Sequence, residues 1–334
     1  MRLFSFLIIF LYAYFGISQN NPYQSLILDK QLTDNANAIV RLDDMKVELH
    51  SSRDMTINSK LILTVLNKMG NDHVRNSIGY DKDKRIRNLE IIVYDVSGNP
   101  IEHIKKKDFK DRNAVDGFSL YIDNRVLYYD YTPIQYPYTI EFNYEFETAD
   151  TASIPSWSFL DNFYESVEKS KFEIVYVTPD LKPTVLEKNL SGINISKVET
   201  RNSIVYTANN VSAINNESIS PSLAKMVPQL RVRLKKFHYK GYDGLADNWT
   251  ELGSWINGNL LVNRNYLEES TKSKVRELVV GTDNDLDKAQ IIYKYVQENT
   301  RYVSVQIGVG GLQPANADEV DRVKYGDCKG LSNY

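Results

Sequence analysis

With 334 residues, 42% of them hydrophobic, the chain is long enough for real cores and, at roughly 100–200 residues per domain, for about two domains. Its formal net charge of −3 argues against a general nucleic-acid binder. The lone cysteine, Cys328, excludes an internal disulfide and a cysteine-built zinc site, and the four histidines show no metal spacing, so no metal and no other cofactor is expected.

Residues 1–18 read as a secretory signal. Arg2 supplies the positive start, residues 3–15 the apolar stretch, and Gly16-Ile17-Ser18 a small-residue cleavage site ahead of Gln19. The apolar run is shorter than the about twenty residues of a membrane span, and no cysteine follows it to carry a lipid. The mature protein is expected to be exported, with no transmembrane segment, either soluble or loosely attached to a cell envelope.

Between about residues 38 and 230 the pattern is almost wholly β. In residues 138–146, Tyr138, Ile140, Phe142, Tyr144 and Phe146 alternate strictly with Thr139, Glu141, Asn143 and Glu145, which predicts a strand with one buried and one wet face. Weaker alternation runs through Met45-Val47-Leu49, Leu61-Leu63-Val65, Leu89-Ile91-Val93 and Phe172-Ile174-Tyr176. Ser97-Gly98-Asn99-Pro100 and Asp123-Asn124 read as turns, the second between strands at 120–122 and 126–128. Many short, alternating strands predict an antiparallel β-sandwich.

Near residue 230 the texture changes. Arg231, Arg233, Lys235, Lys236 and Lys240 form a basic stretch, read as a solvated strand edge or linker in preference to an anion-binding patch. Helical spacing follows at Trp249, Leu252, Trp255, Ile256 and Leu260, then at Val275, Leu278 and Val279 ahead of Gly281. A third apolar stripe, Leu286, Ala289, Ile292, Tyr293 and Val296, has Asn284 or Asp285 as its N-cap. The tryptophans read as core residues in preference to a substrate platform.

The end of the chain carries the chemistry. Gly308-Val309-Gly310-Gly311 is a tight turn and not a phosphate loop, since no Gly-Lys-Ser/Thr follows it. Beyond it, Cys328 sits between Asp327 and Lys329, with Gly326 and Gly330 outside them and the first turn of a helix starting at Leu331. A buried, inert cysteine is the commoner case, but a loop-to-helix junction beside a lysine is where a thiol becomes a nucleophile. All four histidines (His50, His73, His103, His238) precede it.

The string Arg301-Tyr302, Gly308, Gly310-Gly311, Gln313-Pro314 and Tyr325-Gly326-Asp327-Cys328-Lys329 resembles the nucleophile region of bacterial transglutaminase-like proteins, of the papain-like superfamily. Residues 92–98 and 136–144 resemble the β-rich domain of unknown function that precedes such domains in envelope proteins. Gly330 departs from the acidic residue common at that position in the subfamily. The resemblance implies an α+β protein: a signal peptide at 1–18, a β-sandwich over 19–235, and the helical first part of a transglutaminase-like domain over 236–334.

It also implies a periplasmic or envelope location and acyl transfer on peptide or protein amides. Cys328 would be the nucleophile, its backbone N–H and Gln313 the oxyanion donors, and a histidine and an aspartate C-terminal to it the base and its orienter. Since no histidine follows Cys328, the chain reads as truncated after the nucleophile and as inactive alone. Hydrolysis and crosslinking to an amine both stay open, with hydrolysis preferred. The other reading is a non-catalytic envelope module whose β-domain binds a protein or glycan on a degenerate scaffold.

Overall fold

The computed structural model describes residues 21–114 and 119–334, with residues 119–122 as backbone alone. The secretory-signal reading of residues 1–18 lies outside the described residues. The fold is mixed α+β with a large β-rich N-terminal part. Eight strands make its main sheet: β1 (Ala38–Ser51), β2 (Asp54–Val65), β3 (Lys84–Tyr94), β4 (Pro100–Lys105), β5 (Tyr138–Thr148), β6 (Glu165–Tyr176), β7 (Ile195–Glu199) and β8 (Ser203–Val211). Their order across the sheet is β7-β8-β6-β1-β2-β5-β3-β4.

Register turns the alternation of each strand into a shared face. Ser170, Asp43, Leu61, Phe142 and Ile91 stand side by side across five strands, and Met45, Ser59, Tyr144 and Leu89 form the next row. With Val47, Leu49, Ile57, Ile140, Phe172, Ile174 and Tyr206 they build one continuous core face. The opposite face is wet over part of its area, with charged pairs such as Lys46–Glu48 and Lys171–Glu173 at 2.7 Å, and buried over the rest, where Ile39, Ile62, Thr64, Thr139 and Glu141 lie and Tyr23 stacks on Tyr94.

The expectation of an antiparallel sheet fails at one place: β1 and β6 are parallel. β5 and β6 therefore run the same way, and strands of like direction cannot be joined by a hairpin. Residues 149–164 cross over instead and carry Ile154, Trp157, Phe159 and Leu160 into the core, where Trp157 packs against Phe172 and Tyr206. Each such large side chain, fully buried, contributes roughly 1.5–3 kcal/mol. The other cover is a small sheet of Ser77–Tyr80, Arg125–Tyr128 and Lys110–Asn113, which adds Ile78 and Leu127. So the second layer is assembled from a crossover and small sheets.

The turn at Asp123-Asn124 does not fold its flanking strands onto one another. Arg125–Tyr128 joins the small sheet, whereas Ser119–Ile122 pairs in parallel with Ser304–Gln306, far along the chain. Backbone donors in a short strand take whichever edge lies in reach, and here that edge belongs to the C-terminal part.

The basic stretch is ion-paired. Lys235 meets Asp247 at 3.1 Å, Arg233 meets Asp247 at 3.4 Å, and Lys236 meets Asp180 at 3.6 Å. Lys240 sits between Asp81 (2.6 Å), Asp83 (2.7 Å) and Asp150 (3.1 Å). Then come the helices α1 (Trp249–Ile256), α2 (Glu269–Leu278), α3 (Asp285–Asn299), α4 (Ala317–Val323) and α5 (Cys328–Asn333). Asn284 caps α3, accepting from the Leu286 amide at 2.7 Å. The two tryptophans of α1 part company: Trp255 is buried, with Nε1 donating to the Asp243 carbonyl at 2.7 Å, while Trp249 is exposed. No helix among the described residues is long and apolar enough to cross a membrane.

Candidate active site

Cys328 owes its position to a strand, a turn and a clasp. Tyr325–Gly326 pairs in parallel with Arg301–Tyr302, and the Val303 amide donates to the Gly326 carbonyl at 2.9 Å. α4 stops just before this pair because Lys324 takes a left-handed conformation (φ 58°) and caps it, donating to the Val320 carbonyl at 2.8 Å. The strand then ends at Asp327, the N-cap of α5. Its Oδ1 accepts from the Gly330 amide at 2.9 Å. Asp327 is buried; its Oδ2 accepts from Gln306 Nε2 at 3.3 Å and pairs with Lys329. The cap is thus tied both to its own helix and to the strand Ser304–Gln306.

Cys328 follows as the first helical residue, and it is exposed. It lies at an open cavity of ≈780 Å³ whose walls are α5, Tyr302 and the apolar stripe of α3, with Ile292, Tyr293 and Val296 among its residues. No histidine lines this cavity. His238 instead holds Asp243 Oδ1 at 2.9 Å through Nδ1 and accepts from the Gly241 amide at 3.2 Å through Nε2. His50 pairs with Thr56 at 3.0 Å, His103 with Glu90 at 2.9 Å and His73 with Glu165 at 3.3 Å, all within the β-rich part.

A second clasp fixes α5 from behind. Asp321 on α4 accepts from Thr271 of α2 at 2.8 Å, from Tyr334 at 2.6 Å and from Lys324 at 2.5 Å. Burial alone would raise this carboxyl, yet the three hydrogen bonds and the lysine charge take it down to about 2. Asn333 adds bonds to the carbonyls of Arg264 at 2.7 Å and Ala315 at 3.2 Å. Among the described residues no group of three or more His, Cys, Asp or Glu could hold a metal ion.

Gln313, expected by position to face the thiol, is not among the cavity's lining residues. Gln306, seven positions earlier, reaches Asp327 instead. Asp321 also escaped the sequence reading, because its partners come from three separate segments. The glycine-rich turn does carry the chain toward the cysteine, and Gly308, with φ 54°, donates its amide to Asp123 Oδ2 at 3.0 Å.

Residues 51–215 match the family described as "Domain of Unknown Function with solved-structure structure (DUF3857)". The match spans β2 to β8 and stops well short of Cys328. Among solved structures, the chain resembles "a putative protease from Parabacteroides distasonis ATCC 8503" with a TM-score of 0.61 at 15% identity. That likeness covers 89% of this chain and 57% of the other, so this chain spans little more than half of that protein's length. It shows a shared fold. An M1 zinc metallopeptidase from Deinococcus radiodurans aligns at a TM-score of 0.28 and 10% identity, over 73% of this chain and 53% of that one, too weakly to carry an argument. No curated protein matches the sequence.

Proposed function

We propose that Cys328 is the nucleophile of an exported, transglutaminase-like protein acting on peptide or protein amides. The observation that carries this reading is an exposed thiol at the first position of a helix whose N-cap, Asp327, is buried and held by three partners, at the mouth of an open cavity. An inert cysteine needs none of that support. The fold shared with a Parabacteroides protein named for proteolysis agrees with it.

In this reading the Cys328 sulfur, its proton passed to a base, adds to the amide carbonyl, and the C–O π electrons move onto oxygen. The tetrahedral adduct collapses with loss of the amine, which takes up the proton, and leaves a thioester on Cys328. Water then releases a carboxylic acid, or a second amine forms a new amide; either step restores the thiol. The Cys328 backbone N–H is the nearest oxyanion donor in this scheme. The base is the histidine that the resemblance sets C-terminal to the cysteine, since the four histidines of this chain are engaged elsewhere.

Amide hydrolysis by the whole gene product, with Cys328→Ala beside it, tests the proposal. We expect kcat/KM to fall by roughly a thousandfold or more, and the thioester to appear by mass spectrometry in the wild type alone. A Cys328→Ala variant with full turnover would overturn it. The second reading is a non-catalytic binding module, and a whole gene product without thioester or turnover would favour it instead.

A further inference from the structure

A cavity of ≈320 Å³ opens on the middle of the core face, away from the cysteine. Its floor is made of Asp43, Leu61 and Phe142 from one cross-strand row and Met45, Ser59 and Tyr144 from the next; Val74 and Arg75, which follow β2, wall it from above. The alternation of β1 sets Asp43 on the same face as Val47 and Leu49, so a carboxylate stands where the strand otherwise offers aliphatic side chains.

Asp43 is only 5% exposed. One of its oxygens is spoken for: Ser170 Oγ donates to Oδ2 at 2.9 Å and itself accepts from Trp157 Nε1 at 2.8 Å. The other, Oδ1, has no hydrogen-bond or ion-pair partner among the described residues. The cation in the cavity wall, Arg75, pairs with Asp161, and Asp44 lies on the far face beside Lys171 at 3.9 Å. Asp161 is not among the lining residues, which leaves Asp43 as the one carboxylate of the cavity. Burial pushes its carboxyl up to about 6, against the pull of Arg75 and of the Ser170 hydroxyl. Tyr144, the remaining titratable group on the floor, is itself raised by burial.

We infer that this cavity binds a primary alkylammonium group, its nitrogen on Asp43 Oδ1 and its alkyl chain between Met45, Leu61, Val74 and Phe142. An ammonium brings three donors, and Ser59 Oγ and the Tyr144 hydroxyl are further acceptors on the same floor. One lining carboxylate suits a monocation, whereas a metal ion would ask for more carboxylates than one. The volume lies at the small end of ligand sites, which run from about 300 to 1,000 Å³, and suits a short alkylamine or a lysine side chain.

Calorimetric titration of the full chain with n-butylammonium chloride and with its neutral counterpart n-butanol tests the inference. At pH 8 the ammonium should bind at least about tenfold more tightly than the alcohol. At pH 5, where roughly a tenth of Asp43 is ionised, its affinity should drop about tenfold. Asp43→Asn should lose the preference for charge, Ser170→Ala should keep it, and Val74→Phe, which fills the cavity, should lose both ligands. A capped lysine that binds as well as butylammonium marks a polypeptide side chain as the source; one that fails marks a free amine.

Equal binding of alcohol and ammonium would overturn the site, as would no binding of butylammonium at pH 8 or an affinity indifferent to pH and to Asp43→Asn. Should Asp43→Asn not fold, Ser170→Ala and Val74→Phe carry the decision, and loss of charge preference in the first or retained binding in the second overturns it.

Discussion

The main sheet and the helical segment that holds Cys328 are built on different physics. In the sheet, Ile39, Val47, Ile57, Ile91 and Phe172 are fully buried, and seven of the eight strands put residues into the core, the edge strand β7 alone having none buried. In α3, a fifteen-residue helix, no residue is buried, and Leu286 and Tyr293 of its apolar stripe are 66% and 65% exposed. The sheet is held by burial. The cysteine segment buries only Ala317 and Val320 among its hydrophobic side chains and leans on polar anchors, Asp321, Asp327 and Asn333, and on two short strand pairs. The lesson is that the thiol's surroundings can come apart while the sheet stays folded.

Truncations sharpen this contrast most. Phe172→Ala should cost about 3–5 kcal/mol in chemical denaturation, because it empties a close-packed core. Ile292→Ala, on a helix with no buried residue, should cost under about 1 kcal/mol. Comparable losses from the two would mean that the α3 stripe is covered in solution and would break the comparison.

The next effect lies inside the sheet. Asp43 has a folded-state value of about 6 against an ordinary 3.8, so its contribution is fully present below pH 3.8 and is lost as pH rises through 6. Asp43→Asn does not titrate. Relative to the wild type it should gain stability between pH 4 and pH 8, by up to roughly 3 kcal/mol for a shift of about two units. Denaturation midpoints across that range check it, and a difference that does not grow with pH would contradict it. A group that weakens the fold and serves a ligand is a common bargain at binding sites.

The smallest effect on stability concerns the clasp. Asp321 is held at about 2, below its ordinary 3.8, so its contribution is present above pH 3.8 and lost as pH falls through 2. Asp321→Ala should leave the main thermal transition of the sheet unchanged while amide exchange quickens through α4 and α5 at pH 7. Exchange confined to its wild-type rate there would show that burial, and not the clasp, secures the cysteine.

Sequence made the strands readable wherever one face met water. The hydrophobic triplets of β1, β2, β3 and β6 and the run 138–146 all form strands, because a period of two is all that a half-buried strand needs, but Thr139 and Glu141, on the face expected to be wet, are buried and bonded to Thr64 and Tyr94. The Asn284 cap was equally legible, being a local rule. Pairing was not local. Nothing in β1 or β6 announces a parallel neighbour, since direction is decided by the route of residues 149–164 across the face. The turn at Asp123-Asn124 was seen, but its strand's partner lies at Ser304–Gln306.

At the candidate site, Cys328 itself stood out by being alone. Gln306 and Asp321 did not, as single polar residues on a three-residue strand and a helix face carry no period and gain meaning only once distant segments meet. Asp43 hid for the opposite reason. It occupies an apolar position in a strand otherwise read by its hydrophobes, and a single breach of alternation looks like noise.

The pairing of Ser119–Ile122 with Ser304–Gln306, fastened by the Gly308 amide on Asp123 across 185 positions, also orders events in time. The template strand is local to the sheet, while its guest is supplied by the far end of the chain, and contacts of such separation form late in folding. The expected sequence is a sheet that matures first and a cysteine segment that docks onto it afterwards. Pulse alkylation during refolding should therefore mark Cys328 as the last place to acquire native reactivity.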